Sequence, residues 1–205
     1  MNRLQEVKTF TTLNADAIAH TVDYGIAKIP NFLGQATLDL LNRRFGNEDG
    51  SNWSHEVLKG VDDFKPIYDW LYTDKSADLV VSSRYLFANL ERRDEPSHTD
   101  SVAPHGISIL MPFYGPKALF AASNSSFGLG WGTFAENTSD YYSPQWLTTY
   151  GPTDAIAIRQ TIDSFNGQPK SLNQMHHAGG ADGLRKLFMV DLIKTDLIVE
   201  MPQAA

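Results

Sequence analysis

His98, Thr99 and Asp100 place an imidazole and a carboxylate two residues apart. In an extended strand, residues i and i+2 project from one face and the residue between them from the other. His98 and Asp100 can therefore grip one metal ion together. A further imidazole is offered by the neighbouring pair His176 and His177 far along the chain, and Arg185 follows shortly after. Two imidazoles and one carboxylate on one side of a divalent metal leave the opposite positions open, a coordination suited to oxygen chemistry at iron. Such a site would also tie two distant strands together. Taken alone, the tripeptide equally suits a surface loop.

The surroundings add weight to the motif. Residues 92–97, Arg-Arg-Asp-Glu-Pro-Ser, are polar and turn-like, and residues 107–113, Ile-Ser-Ile-Leu-Met-Pro-Phe, form a largely apolar β-type run. The candidate ligands thus fall at the mouth of a strand. Toward the C-terminus, residues 174–177 precede a Gly-rich stretch, 178–183, and then the apolar run from Arg185 to Leu192, which together read as strand, turn, strand. A basic side chain buried early on that last strand would cost several kcal/mol without an anion beside it. Arg185 therefore invites a carboxylate ligand.

With these residues in this order, the chain resembles the Fe(II)/2-oxoglutarate-dependent dioxygenases, with prolyl-hydroxylase-like members nearest in layout. The family pattern is His-x-Asp, a long gap, a distal His, and then an Arg or Lys that binds the far carboxylate of 2-oxoglutarate; His98, Asp100, His176 and Arg185 match it. Residues 24–33, Tyr-Gly-Ile-Ala-Lys-Ile-Pro-Asn-Phe-Leu, look like the family's opening strand. Residues 150–158 resemble its Gly-Asp-Ala strand, with an insertion before Asp154. Between the adjacent histidines, His176 is preferred because it follows apolar Met175 and stands nine residues before Arg185; His177 with Lys186 is the equally spaced alternative.

The resemblance implies that His98, Asp100 and His176 hold Fe(II), that Arg185 anchors 2-oxoglutarate, and that O2 is the other co-substrate. The implied reaction hydroxylates an unactivated C–H bond of a small molecule, an amino acid or a peptidyl residue, releasing succinate and CO2. Asp100 favours hydroxylation over halogenation, since related halogenases lose that carboxylate. Two other classes remain open on the residues alone. An inactive jelly-roll ligand-binding module would take up no Fe(II), and a Zn hydrolase built on the same two imidazoles and carboxylate would need neither the Arg nor oxygen. No Gly-x-Ser-x-Gly elbow is present for a serine hydrolase.

Composition bounds the rest. A chain of 205 residues fits one domain, here expected over 1–205, and its 42% apolar content can fill a core. The net charge of −7 and the lack of a basic stripe argue against nucleic acid as a partner. With no cysteine, thiolate metal sites, disulfides and Cys nucleophiles are excluded. Residues 1–13 lack the pattern of a signal peptide and no run nears the ~18 apolar residues of a membrane span, so a cytoplasmic protein without membrane contact is expected. Oligomeric state leaves no trace in these features.

Positioning falls to helices first and strands later. Asn14 predicts a capped helix through residue 22, and residues 35–45 carry Leu38, Leu41 and Phe45 at helical spacing before Gly46. Further helices are expected over 62–72 and from about 76. Short β-rich runs follow at 85–92, 106–113, 117–123, 130–134, 154–162, 171–177 and 185–193. The fold class is therefore mainly β with N-terminal helices. The resemblance implies a double-stranded β-helix of the jelly-roll kind over about 85–195, braced by a helical support over about 1–84. The aromatic, Gly-rich stretch 124–146 has the least regular pattern and suits either a substrate lid or a meander whose aromatics cap the core. His105 reads as a strand-edge histidine, and His20 and His55 as surface positions.

Overall fold

The computed structural model describes residues 4–47, 79–89, 107–124, 144–159, 175–180 and 183–194. The first helix, α1 (Ala15–Tyr24), begins where the Asn14 side chain accepts a hydrogen bond from the Ala17 N–H at 3.0 Å, an N-cap worth about 1 kcal/mol. It stops at Gly25, whose φ of 94° lies in the left-handed region and whose N–H donates to the Thr21 carbonyl. The second, α2 (Gln35–Phe45), buries Leu41 and Phe45 and packs Leu38 against the same core. Both helices follow the expected pattern of caps and apolar spacing.

Nine strands are found among the described residues: β1 (Gln5–Glu6), β2 (Ile26–Ile29), β3 (Leu79–Asn89), β4 (Ile107–Tyr114), β5 (Ala118–Ser123), β6 (Trp146–Tyr150), β7 (Ala155–Arg159), β8 (His176–Gly180) and β9 (Arg185–Lys194). They form two sheets, ordered β1-β6-β5-β8 and β2-β7-β4-β9-β3. All pairs are antiparallel except the short parallel β1–β6 contact. The alternation of side chains sorts the larger sheet into two faces. Ile107, Ile109, Met111, Ala157, Phe188 and Val190 pack toward α1 and α2. Leu110, Ile156, Ile158 and Leu187 turn the other way and meet Phe120, Ala122, Trp146 and Tyr150 of the smaller sheet. This second core, between the sheets, is where a side chain on the inner face of β8 or of β9 must project.

Three expectations are corrected. The helix predicted from about 76 is strand from Leu79 onward, because Leu79, Val80 and Val81 pair with the end of β9 and β-branched residues suit a pleated surface. Strand β6 begins at Trp146, the last residue of the stretch read as irregular, and runs on through Tyr150 where no strand was expected; it alternates Trp146, Thr148 and Tyr150 along one side and pairs with β5 throughout. Strand β8 runs through the glycines that had been read as a turn, to Gly180. Glycine is accepted in a strand where another group approaches closely. Here the ring of Phe120 and the guanidinium of Arg185 lie over Gly179. The helix expected at 62–72 and the strand expected at 130–134 fall outside the described residues.

Candidate active site

Arg185 opens β9 on the face turned toward the smaller sheet, two residues before Leu187 of the inner core. It is only 3% exposed, yet its Nε has no hydrogen-bond partner among the described residues. One Nη donates to the Tyr150 hydroxyl at 2.7 Å. Burial pushes the Tyr150 phenol above its ordinary value, and the charge of Arg185 and its hydrogen bond oppose that rise. The phenol therefore stays neutral and keeps its proton. Removing a guanidinium from water costs several kcal/mol even after relaxation, and one bond to a neutral hydroxyl offsets a small part of that.

The neighbouring strand brings an imidazole to the same space. Met175, just before β8, and His177 and Gly179 within it alternate onto one side; Met175 belongs to the core between the sheets, and His177 is 5% exposed. The His177 ring stacks on Phe120, centroids 5.7 Å apart and planes 17° from parallel, and its Nδ1 lies 3.4 Å from the Met175 carbonyl. Phe120 in turn meets Tyr150 edge-on at 5.6 Å. His176 occupies the intervening register position, paired with Ser123.

Lys186, the alternative anchor, goes to the opposite side of the larger sheet. Its Nζ donates to the carbonyls of Phe45 at 3.0 Å and Gly46 at 2.6 Å, the open end of α2. A cation there also suits the negative end of the helix dipole. The pairing of His177 with Lys186 is thus not brought together, whereas His177 and Arg185 share the inner space. His98, Asp100 and His105 lie outside the described residues. Within the described residues alone, no three of His, Cys, Asp and Glu gather as a metal site.

Other polar side chains near this end serve the scaffold. Arg159, at the end of β7, donates to the Val22 and Asp23 carbonyls at the C-terminus of α1 and reaches Asn124 beyond β5. Burial lowers its pKa and the Asp23 charge opposes this. Asp154, in the segment likened to a Gly-Asp-Ala strand, accepts from the Gly151 N–H at 3.1 Å and the Asn31 N–H at 3.3 Å and pairs with Lys28 at 3.7 Å. It holds a turn. His20 stacks on exposed Tyr24 on the outside of α1, consistent with a surface position. Tyr150, the hydrogen-bond partner of Arg185, is the residue beside the candidate site that sequence reasoning missed. The signal was the alternation of Trp146, Thr148 and Tyr150, which puts both aromatics on one face of a strand.

No protein-family model and no curated protein matches the chain by sequence. Solved structures do match by shape. A 2OG-Fe(II) oxygenase family oxidoreductase from Burkholderia pseudomallei superposes with a TM-score of 0.56 at 11% identity, covering 93% of this chain and 95% of that one. A prolyl-4-hydroxylase from Pseudomonas putida gives 0.54 at 8% identity, covering 88% and 93%. HygX from Streptomyces hygroscopicus, solved with nickel and 2-oxoglutarate bound, gives 0.55 at 11% identity, covering 89% and 87%. Among the described residues no helix is long and apolar enough to cross a membrane. Two facing sheets braced by α1 and α2, superposing over nearly the whole chain, give this protein the jelly-roll fold of the 2OG-Fe(II) oxygenases.

Proposed function

We propose that the protein is a non-haem Fe(II) and 2-oxoglutarate-dependent dioxygenase that hydroxylates an unactivated C–H bond of a small molecule, an amino acid or a peptidyl residue. The observation that carries this reading is Arg185, a guanidinium enclosed between the sheets whose Nε has no partner among the described residues and whose one hydrogen-bond partner among them is neutral. Such a group fits an anion, and a carboxylate matches its planar fork by two parallel charge-assisted bonds. The neutral Tyr150 phenol has a proton to give to the same carboxylate. Gly179, without a side chain, lets the guanidinium settle against its backbone, since a Cβ there would stand 3.4 Å from one Nη.

His177 supplies the distal imidazole in this reading, because it projects into the space that holds Arg185, and His98 and Asp100 would complete the metal's ligand set. Bound iron with 2-oxoglutarate and O2 would supply the oxidising chemistry, with succinate and CO2 as co-products. The chain's own contribution is placement and dryness. Met175, Leu187, Ile158 and Phe120 line the region around His177 and Arg185 with apolar surface, so the charge pair forms away from water, where it is strongest.

The test is turnover. Purified protein supplied with Fe(II), 2-oxoglutarate and O2 is screened against free amino acids, peptides and small metabolites for succinate release matched to oxygen uptake. Succinate formed in step with oxygen supports the reading. Hydrolytic activity that persists without oxygen would favour a zinc enzyme on the same ligands.

A further inference from the structure

The inner face of β5 reads Ala118, Phe120, Ala122, one large ring between two methyl groups. Across the ladder, Ala118 pairs with Tyr150, Phe120 with Gly179, and Ala122 with His177. Phe120 is therefore the one large side chain on its own strand placed between the phenol and the imidazole, and it touches both, edge-on to the first and stacked on the second. Its direct partner carries no side chain. A Cβ at Gly179 would stand 3.4 Å from Phe120 and 3.4 Å from the nearer Arg185 nitrogen, so the ring and the guanidinium converge on the backbone of Gly179 and pack beside each other there.

We infer that Phe120 is a positioning residue that sets the length of 2-oxo diacid the pocket accepts, by holding the His177 imidazole and the Tyr150–Arg185 anchor at a fixed separation. The inference rests on the proposed co-substrate site. A diacid with its oxo-acid end beside His177 and its far carboxylate on Arg185 would span the ladder positions between Ala122 and Ala118, where Phe120 stands. Removing the ring turns the inner face of β5 into three alanines. The imidazole and phenol then lose their common support, and a longer chain has room to bow.

The experiment is anaerobic calorimetric titration of the Fe(II)-loaded protein with 2-oxoglutarate and with 2-oxoadipate, which is one methylene longer. A methylene mismatched to its pocket changes affinity by about tenfold or more. Wild type is expected to prefer 2-oxoglutarate by at least about tenfold, Phe120→Ala to bring the two affinities within about threefold of each other, and Phe120→Leu to fall between. Leu retains apolar volume and keeps the test usable if the Ala variant does not fold. An unchanged preference in the Leu variant, or an equal loss for both acids, would overturn the inference, since a merely structural ring would weaken both alike. Wild-type protein that binds neither acid would overturn the co-substrate site itself.

Discussion

Replacing Arg185 with Gln separates an anion-binding guanidinium from a structural one. In the described structure this side chain makes one hydrogen bond, to Tyr150, and its Nε makes none, so among the described residues no charged group offsets its burial. The folded protein should tolerate the change, with a melting temperature within a few degrees of wild type or above it. Co-substrate binding should not. A desolvated, charge-assisted pair contributes about 2–4 kcal/mol, which at 1.4 kcal/mol per decade raises the 2-oxoglutarate concentration required by about one and a half to three orders of magnitude. Iron affinity should change little. Arg185→Lys should recover part of the binding, since it keeps the charge and loses the fork. Lys186→Gln is the control: it removes the cation that satisfies the Phe45 and Gly46 carbonyls, so it should lower stability by about 2–3 kcal/mol and leave the 2-oxoglutarate requirement in place. Calorimetry with 2-oxoglutarate and thermal melts of the three variants decide the matter. Loss of 2-oxoglutarate dependence in Lys186→Gln, with Arg185→Gln unaffected, would refute the reasoning.

Iron uptake should be abolished in His177→Ala and retained in His176→Ala, measured by metal content after anaerobic loading; the reverse would move the ligand to His176. Tyr150→Phe keeps the contact with Phe120 and should weaken 2-oxoglutarate binding about tenfold, the loss of roughly one hydrogen bond to a charged group. The same variant should show a flatter loss of stability at alkaline pH. Because burial raises the phenol in the folded state, the unfolded chain gives up its proton first, so wild type loses stability as pH rises above about 10, the ordinary value for a phenol. Denaturant titrations on either side of that pH check the sign. Gly25→Ala should cost about 1–2 kcal/mol for the left-handed backbone, with the end of the Met175 side chain displaced by the new methyl; a melt unchanged from wild type would contradict this.

Much of the scaffold was legible because local signals agreed with tertiary demands. Asn14 as a cap, the spacing of Leu38, Leu41 and Phe45, and the apolar runs of β4, β5 and β9 each name their element from neighbours in sequence. Strand β8 was misplaced because its glycines are explained by groups distant in sequence, the ring of Phe120 and the guanidinium of Arg185, which no local pattern announces. For the same reason spacing could not choose between His176 and His177. The face that His177 takes follows from which core the strand's odd positions meet, and Met175 marks that face only once the sheets are assembled. Arg185 stands out in the sequence because an arginine early in an apolar strand is anomalous by itself. Tyr150 was passed over because aromatics are common in cores, and its hydroxyl acquires meaning only from the arginine beside it.

The central claim is that one pocket holds Fe(II) and 2-oxoglutarate together. Anaerobic titration of the purified protein with Fe(II) and then 2-oxoglutarate, followed by visible absorption, addresses it most directly. The expected result is a charge-transfer band of the iron–2-oxoglutarate chelate that saturates at one equivalent of each, is absent in His177→Ala, and in Arg185→Gln appears only at a far higher 2-oxoglutarate concentration. Failure of the wild-type protein to take up Fe(II), or a band that forms unchanged in both variants, would contradict it.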